Sequence, residues 1–387
     1  MTRASVAVIG AGVVGASVAY HLARRGWREV LVLDRAAGPG TGSTGAATGG
    51  YRAQFASDAN VRLSLLARER LSAFREETGV DPGLVAAGYL WLARRAPDLD
   101  ALRAALAVQK RNGFLDAREI DAREAVALNP AIHSEGILGG TFAGSDGFLR
   151  PLAILEGYLR AAEELGASIR WNAEVTALRR GGVDGPIEAV RVGPEWIAVE
   201  AVVNAAGAWA APVGALAGVS VPITPLRRQA LASAPFAGLP ETMPMTIWVD
   251  DGFHARVRDG RVLALMPTPG DPDDPTSTRV DPAWVASVTR IARERIPVLR
   301  DADFERGTAW AGLYEMSPDG HALLGAAPGC ANLILANGSS GHGVMHAPAL
   351  GLLVAEILSD GRASSMDTTE LDPGRFAGGT VERRELL

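Results

Sequence analysis

The chain has 387 residues, enough for one large or two medium domains with a sizeable core. It is 48% hydrophobic and 21% charged with 45 glycines, the make-up of a globular protein, and its net charge of −6 removes any electrostatic case for nucleic acid. A single cysteine, Cys330, excludes an internal disulfide and a multi-thiolate metal centre, and a single lysine, Lys110, leaves almost every cationic role to arginine.

The first forty residues spell out a βαβ unit. SVAVI (Ser5–Ile9) is a β-branched apolar run of the kind found in buried parallel strands. Gly10-Ala-Gly12-Val13-Val14-Gly15 follows, then a helical spacing that stops at Gly26, then EVLVLD, ending at Asp34. Gly10 permits a tight turn, Gly12 lets the backbone approach a pyrophosphate, and Gly15 lets the helix pack on the strand; Asp34 can accept hydrogen bonds from a ribose. The apolar N-terminal stretch has the outline of a signal peptide, but the dinucleotide motif accounts for it. No other segment has about 18 uninterrupted apolar residues, so no membrane span and a cytoplasmic location are expected.

Ala19, Leu22 and Gly26 extend the motif to GxGxxGxxxAxxLxxxG, which resembles the FAD-binding version, although NAD proteins share it. The long Gly/Ser/Thr loop Gly38–Phe55 weighs toward FAD, since small residues let the backbone lie against a flat ring system. Ser43 and Thr44 are candidate phosphate or flavin ligands, and Arg52 closes the loop. Further on, PLAILEGYLRAAEELGA reads as an amphipathic helix ending near Gly166, and SIRWNAEVTALRR alternates like a strand. AVVNAAGAWA, with Ala206, Gly207 and Trp209, is an apolar strand entering a small-residue turn. LDALRAALAVQKRNG is a helix carrying Lys110 on its solvated face.

Short strand-like runs with DDG and RDGR hairpin signals fill the stretches around residues 86–146 and 226–307, and PTPGDPDDPTSTRVDP is a loop. These runs predict a discontinuous antiparallel-sheet domain inserted twice into a Rossmann-like α/β domain. Near the C-terminus ANGSSGHGVMHAPALG reads as a glycine-rich turn feeding a helix, with Pro348 in its first turn. Such an end offers free backbone N–H groups and partial positive charge. After Gly361 the tail reads as irregular and polar.

Together these segments resemble the D-amino-acid oxidase superfamily of FAD enzymes, in particular its sarcosine and glycine oxidase branch. The resemblance rests on the fingerprint through Asp34-Arg35, the GSTGAATGGYR loop, Asp146–Leu178, VVNAAGAWA, LYEMSPDGHALLG and GSSGHGVMHAPALG, nearly the whole chain. It implies FAD bound by 1–85, 147–225 and 308–387, beneath a substrate domain of 86–146 and 226–307. It implies oxidation of the C–N bond of a small secondary or N-methyl amino acid: hydride to flavin N5, hydrolysis of the imine, and reduction of O2 to hydrogen peroxide. A dehydrogenase of the proline or sarcosine dehydrogenase β-subunit type, serving another acceptor and with room for a partner subunit, is the nearest alternative. A non-catalytic flavin subunit is the next.

By the same resemblance Val175 contacts the adenosine half through its backbone. Gly341, His342, Gly343, Val344 and Met345 face the pyrimidine edge of the flavin, where partial positive charge favours the anionic reduced form. Gly312 falls where monomeric sarcosine oxidases carry the cysteine that links FAD, so the FAD is expected to be non-covalent. Met345 falls where they carry a lysine for the substrate carboxylate. That role passes to an arginine, with Arg52 first and Arg256, Arg258 and Arg261 behind it. Tyr314 matches a family tyrosine near the substrate, and Asp319 caps the following turn.

Overall fold

The computed structural model describes residues 2–182, 185–268 and 274–376. In chain order its strands begin with β1 (Thr2–Ile9), β2 (Val30–Leu33), β3 (Gly50–Tyr51), β4 (Tyr89–Ala93), β5 (Arg118–Ile120), β6 (Gly139–Ala143), β7 (Gly147–Phe148), β8 (Ser168–Arg170) and β9 (Val175–Arg180). They continue with β10 (Ile187–Val192), β11 (Glu195–Asn204), β12 (Thr224–Ala232), β13 (Met245–Trp248), β14 (His254–Arg258), β15 (Arg261–Leu265), β16 (Thr308–Met316), β17 (Leu323–Ala327) and β18 (Cys330–Asn337). The helices are α1 (Val13–Arg24), α2 (Ser43–Ala46), α3 (Asp58–Thr78), α4 (Ala96–Arg111), α5 (Ala122–Leu128), α6 (Pro151–Glu164), α7 (Ala210–Ala215), α8 (Pro282–Arg295) and α9 (Gly343–Asp360).

The first sheet runs β17-β18-β11-β1-β2-β8, with β10 and then β9 attached to β11, and its centre from β18 to β8 is parallel. Both faces are buried. Val6 and Val8 of β1 point toward α1, α3, α6 and α9, while Ala7 and Ile9 point to the core under β9 and β10. That double burial is why the strand reads as an unbroken apolar run. Small residues set the close approaches: a Cβ on Gly15 would come within 1.9 Å of the Gly10 carbonyl, and one on Gly351 of α9 within 2.2 Å of Ser17 Oγ on α1.

The second sheet runs β16-β12-β15-β14-β13-β4-β6-β5 and is antiparallel except where β13 meets β4. That parallel pair joins the two inserted segments. Trp91 and Ile247 face inward, whereas Leu90, Leu92 and Trp248 pack outward with Trp284 and Val288 of α8. The sheet takes in Thr308–Met316, which the sequence reading had given to the dinucleotide domain. β16 pairs with β12 along its full length, from Thr224↔Met316 to Ala232↔Thr308, so its backbone belongs to the roof.

Other differences have local causes. Residues 168–180 form two strands, because Asn172 turns with φ +52° and the Asn172 and Ala173 N–H groups donate to the Ala36 and Asp34 carbonyls. Helices α3 and α8 were not foreseen; arginine and glutamate on their outer faces dilute the apolar spacing. The Gly38–Phe55 loop contains α2 and β3, and β3 pairs with β7.

Helix α9 begins at Gly343, so Pro348 lies inside it rather than in its first turn, and the Val344 carbonyl has no Pro348 N–H to accept from. By length and composition α9 is the one helix among the described residues that could cross a membrane, yet most of it is buried in the core against α1 and α3. Residues 269–273 of the Pro/Asp-rich loop and 377–387 of the tail lie outside the described residues; 361–376 hold two 3₁₀ turns.

Candidate active site

A cavity of about 760 Å³ lies along the carboxyl ends of β2, β1, β11 and β18, roofed by the second sheet. Three strand spacings at ~4.8 Å make this edge about 14 Å long, and outside the carboxyl ends of parallel strands is where α/β sheets bind ligands. Every residue singled out from the sequence for the site lines it except the reserve arginines Arg256, Arg258 and Arg261, Asp319, and Gly15, which stands behind the turn and holds α1 against β1.

At one end the glycine turn is built as the motif requires, with one refinement. Gly10 has φ +105° and lies against the Ala205 carbonyl, so its freedom is used. Gly12 has an ordinary φ of −70°, and the nearest neighbour of a Cβ there would be Thr44 Oγ1, at 3.5 Å. Its smallness serves the cavity, not the backbone. Thr44 Oγ1 accepts the Val13 N–H at 3.1 Å, which leaves its hydroxyl proton for a ligand; Ser43 Oγ donates to the Leu313 carbonyl at 2.7 Å, which leaves its lone pairs.

Asp34 accepts the Ala11 N–H on Oδ2 and the Ala36 N–H on Oδ1. These bonds fix the carboxylate with a lone pair of each oxygen to spare. Arg35 lies 3.9 Å over the Trp209 ring, and with Val175, Ala206 and Gly207 it walls this end.

At the other end Ser340 (φ +48°) and Gly341 (φ +94°) swing the chain from β18 into α9. A Cβ on Gly341 would lie 2.3 Å from Tyr314, so the glycine lets that ring rest on the turn. The first-turn N–H groups of α9, at Gly343, Val344 and Met345, have no ladder carbonyl to reach and border the cavity. Met345 is buried in the core beneath them.

His342 meets Arg52: the guanidinium donates to Nε2 at 3.1 Å, and because arginine is only a donor, the ring proton sits on Nδ1. Arg52 also donates to the Gln54 carbonyl at 2.6 Å and stacks between Phe55 and Trp91, 4.0 and 5.1 Å from their ring centres. It is 7% exposed. Behind it fully buried Asp146 accepts the Ala53 N–H and a Gln54 amide hydrogen, and burial pushes its carboxyl up to about 7.

The roof supplies what the sequence reading missed. The strand registers place Trp310, Ala230, Leu265, His254 and Ile247 in one row across β16, β12, β15, β14 and β13, all lining the cavity. Arg228 stands directly opposite Gly312 in the next row, with its guanidinium 5.7 Å from the Tyr314 ring. His254 donates Nδ1–H to the Gly252 carbonyl at 2.9 Å; burial first, then the charges of Arg52 and Arg228, bring it down to about 4.

The arginines held in reserve are engaged elsewhere. Arg256 and Arg258 donate to the carbonyls of Ala47, Thr48 and Gly49, and Arg261 to that of Ser233; none of the three lines the cavity. Asp319 holds Arg375 and the His321 N–H rather than a ligand. Alternation within PLRRQALA and GFHARVR marks two faces. Only the strand pairing tells which face, and hence Arg228 rather than Arg227 and His254 rather than Ala255, looks inward.

The profile of the FAD dependent oxidoreductase family, DAO, matches residues 5–357 of this chain. The chain belongs to the DAO family of FAD-dependent oxidoreductases. The Gly12 cradle, the N-termini of α1 and α9 and the ribose-competent Asp34 fit FAD in the cavity.

Among relatives of this oxidoreductase, a glycine oxidase from Geobacillus kaustophilus is 28% identical over 92% of this chain and 93% of its own. Mouse mitochondrial dimethylglycine dehydrogenase is 27% identical over 98% of this chain and 45% of its own. The crystal structure of L-proline dehydrogenase from P. horikoshii superposes with a TM-score of 0.88 at 26% identity, covering 98% of this chain and all of the other.

Proposed function

We propose that the enzyme oxidises the C–N bond of a small secondary or N-methyl amino acid. The observation that carries this reading is geometric: Arg52 meets His342 at the head of α9 at 3.1 Å, Arg228 lies 5.7 Å from the Tyr314 ring that rests on Gly341, and all line the same cavity. The relatives that act on glycine, dimethylglycine and proline point the same way.

Arg52 is a fork suited to a carboxylate, and its stacking between Phe55 and Trp91 limits the freedom it loses on binding. Two guanidiniums nearby disfavour a protonated amine and so favour the neutral amine, whose lone pair assists loss of hydride from the adjacent carbon. Tyr314 offers a hydroxyl at the same place. His254, neutral and with Nδ1–H committed, presents only an acceptor. The roof excludes water until the imine has formed; water then adds to the imine carbon and releases amine and carbonyl product. The amides of Gly343, Val344 and Met345 offer positive potential to negative charge at the cofactor edge. FAD, held by the Gly10–Gly15 turn, Asp34 and the first turn of α9, would supply the hydride acceptor and the route for two electrons to O2, which would leave as hydrogen peroxide.

Anaerobic mixing of the yellow protein with amino acids tests this. Secondary amino acids should bleach the flavin, and air should restore it with one peroxide per turnover; a flavin that no amino acid bleaches overturns the reading. The second reading, a dehydrogenase with another acceptor, is favoured by the absence of lysine from the cavity: Lys110 is exposed on α4. Slow return of colour in air with fast return on adding a quinone would select it. The FAD is non-covalent in this proposal, because Gly312 leaves no thiol at the linkage position. Acid precipitation should therefore leave all the flavin in the supernatant.

A further inference from the structure

The flavin loop cannot hold its own shape. Helix α2 is a single turn, Ser43–Ala46, far below the length at which a helix is stable by itself, and Gly49 beyond it has φ +77°. Yet Ala46, Ala47, Thr48 and Gly49 all line the cavity. They do so at the Gly312–Tyr314 end, since a Cβ on Gly312 would lie 2.7 Å from the Ala46 side chain.

What fixes this wall comes from the roof. The Trp310 indole on β16 donates to the Ala46 carbonyl at 2.8 Å. Arg258 on β14 reaches the Ala47 and Thr48 carbonyls, each at 3.5 Å. Arg256, two residues earlier on the same strand, donates to the Thr48 carbonyl at 3.1 Å and to the Gly49 carbonyl at 3.2 Å. Every carbonyl from Ala46 to Gly49 thus accepts from a side chain of the roof. In the other direction Ser43 Oγ donates to the Leu313 carbonyl on β16.

Arg256 is the firmest of these ties. It is 5% exposed, and its guanidinium lies 3.4 Å from the centre of the Phe148 ring. Phe148 belongs to β7, which pairs with β3 where the loop ends. The Arg256 Nε–H is taken by the Val257 carbonyl at 3.2 Å, which fixes the fork. A planar, stacked guanidinium loses little freedom for each bond it makes, and a charged donor makes a stronger bond than a neutral one. Unlike Arg228, His254 and Trp310, Arg256 does not line the cavity, so any hold it has on the cofactor passes through the loop.

We propose that Arg256 is a positioning residue for the cofactor: from the substrate domain it fixes the Ala46–Gly49 wall, so that retention of the flavin half of FAD depends on a roof side chain that stands outside the cavity. The dinucleotide half is left to the Gly10–Gly15 turn and Asp34, which this tie does not reach. The proposal concerns retention of FAD and goes beyond the C–N oxidation proposed above.

Arg256→Met tests it, keeping an unbranched stem beside Phe148 and removing the donors. On dilution of the holoenzyme the variant should release FAD about tenfold faster than wild type, read as recovery of flavin fluorescence. Arg256→Lys, which keeps a cation and a donor within reach, should fall between the two. ADP carries the dinucleotide half without the flavin. Its affinity for the full chain after flavin release, read by competition with returning FAD, should stay within about twofold of wild type.

That split separates a tie on the loop from general loosening, which would weaken FAD and ADP by the same factor. An equal loss of both overturns the proposal, and so does release of FAD at the wild-type rate. If Arg256→Met gives no folded protein, Arg256→Lys decides: faster FAD release at unchanged ADP affinity supports the tie, and wild-type release overturns it. If no amine bleaches the flavin, the oxidation reading fails, and this comparison still decides the tie because no substrate enters it.

Discussion

On the floor of the cavity Gly12, Thr44 and the first turn of α9 present backbone amides, one hydroxyl and the absence of a side chain. On the roof Arg228, His254 and Tyr314 face the cavity with long side chains carried on different strands. The floor is therefore specified by where side chains are missing, over short stretches of chain, and it suits a large cofactor of fixed shape. The roof is specified by which of two strand faces looks inward, and it can be re-lettered for a new substrate without disturbing the floor.

The largest expected effect separates the two uses of glycine within the floor. Gly15→Val drives a side chain into the Gly10 carbonyl, 1.9 Å from the would-be Cβ, and should leave little soluble protein. Gly12→Val meets only Thr44 Oγ1 at 3.5 Å and should fold, yet purify colourless. A folded Gly12→Val protein with full flavin would remove the cradle from the cofactor site; the checks are circular dichroism and the flavin-to-protein absorbance ratio.

Next comes Arg52, where floor and roof meet. Arg52→Ala should lower kcat/KM by roughly two to four orders of magnitude, with the flavin spectrum nearly unchanged. Met345→Lys in that background, with a cation on a side chain of similar length, should recover part of the loss for amino acids and none for amines lacking a carboxylate. Near-normal kinetics for Arg52→Ala would give the anchor to Arg228 alone.

On the roof Tyr314→Phe removes a single hydroxyl and should cost at most about tenfold in kcat/KM, one neutral hydrogen bond. A loss as large as that of Arg52→Ala would move Tyr314 from positioning to proton transfer.

The smallest effect tests the joint between the regions. Burial holds the Asp146 carboxyl at about 7, above the ~3.9 of the unfolded chain. The folded protein thus binds this proton more tightly, so the group's contribution to stability is full below about pH 4 and is lost as pH rises to about 7. Asp146→Asn removes that dependence. The difference in Tm, variant minus wild type, should rise between pH 4 and 7 and be flat above; a difference independent of pH would show that Asp146 is charged throughout.

The same contrast explains what could be read from the residues alone. The dinucleotide turn, Asp34 and the GSSGHGVMH segment are local, and a glycine that must be a glycine leaves its mark on the chain at that point. Arg228 leaves no such mark. It is one of several arginines in PLRRQ and HARVRDGR, and its place depends on β12 pairing with β16 in a register set eighty-odd residues later in the chain. Gly12 was legible from its place in the motif, and its ordinary dihedral angle leaves its smallness beside the cavity as what the position uses. The boundary of β16 was misjudged because a strand's sequence does not say which sheet it will join.

The pairing that builds the floor also fixes when it can exist. Val6 must find Ala201, and Val202 must find Leu333, before α9 can turn its first amides toward the cavity. Folding is thus dominated by contacts between distant stretches, a slow class of topology, and a chain leaving the ribosome has no complete cavity until α9 has emerged. Cofactor capture is a late event that draws the equilibrium toward the finished state by mass action. In refolding experiments flavin quenching should appear only with the slowest phase, and riboflavin supply during expression should set the yield of soluble protein.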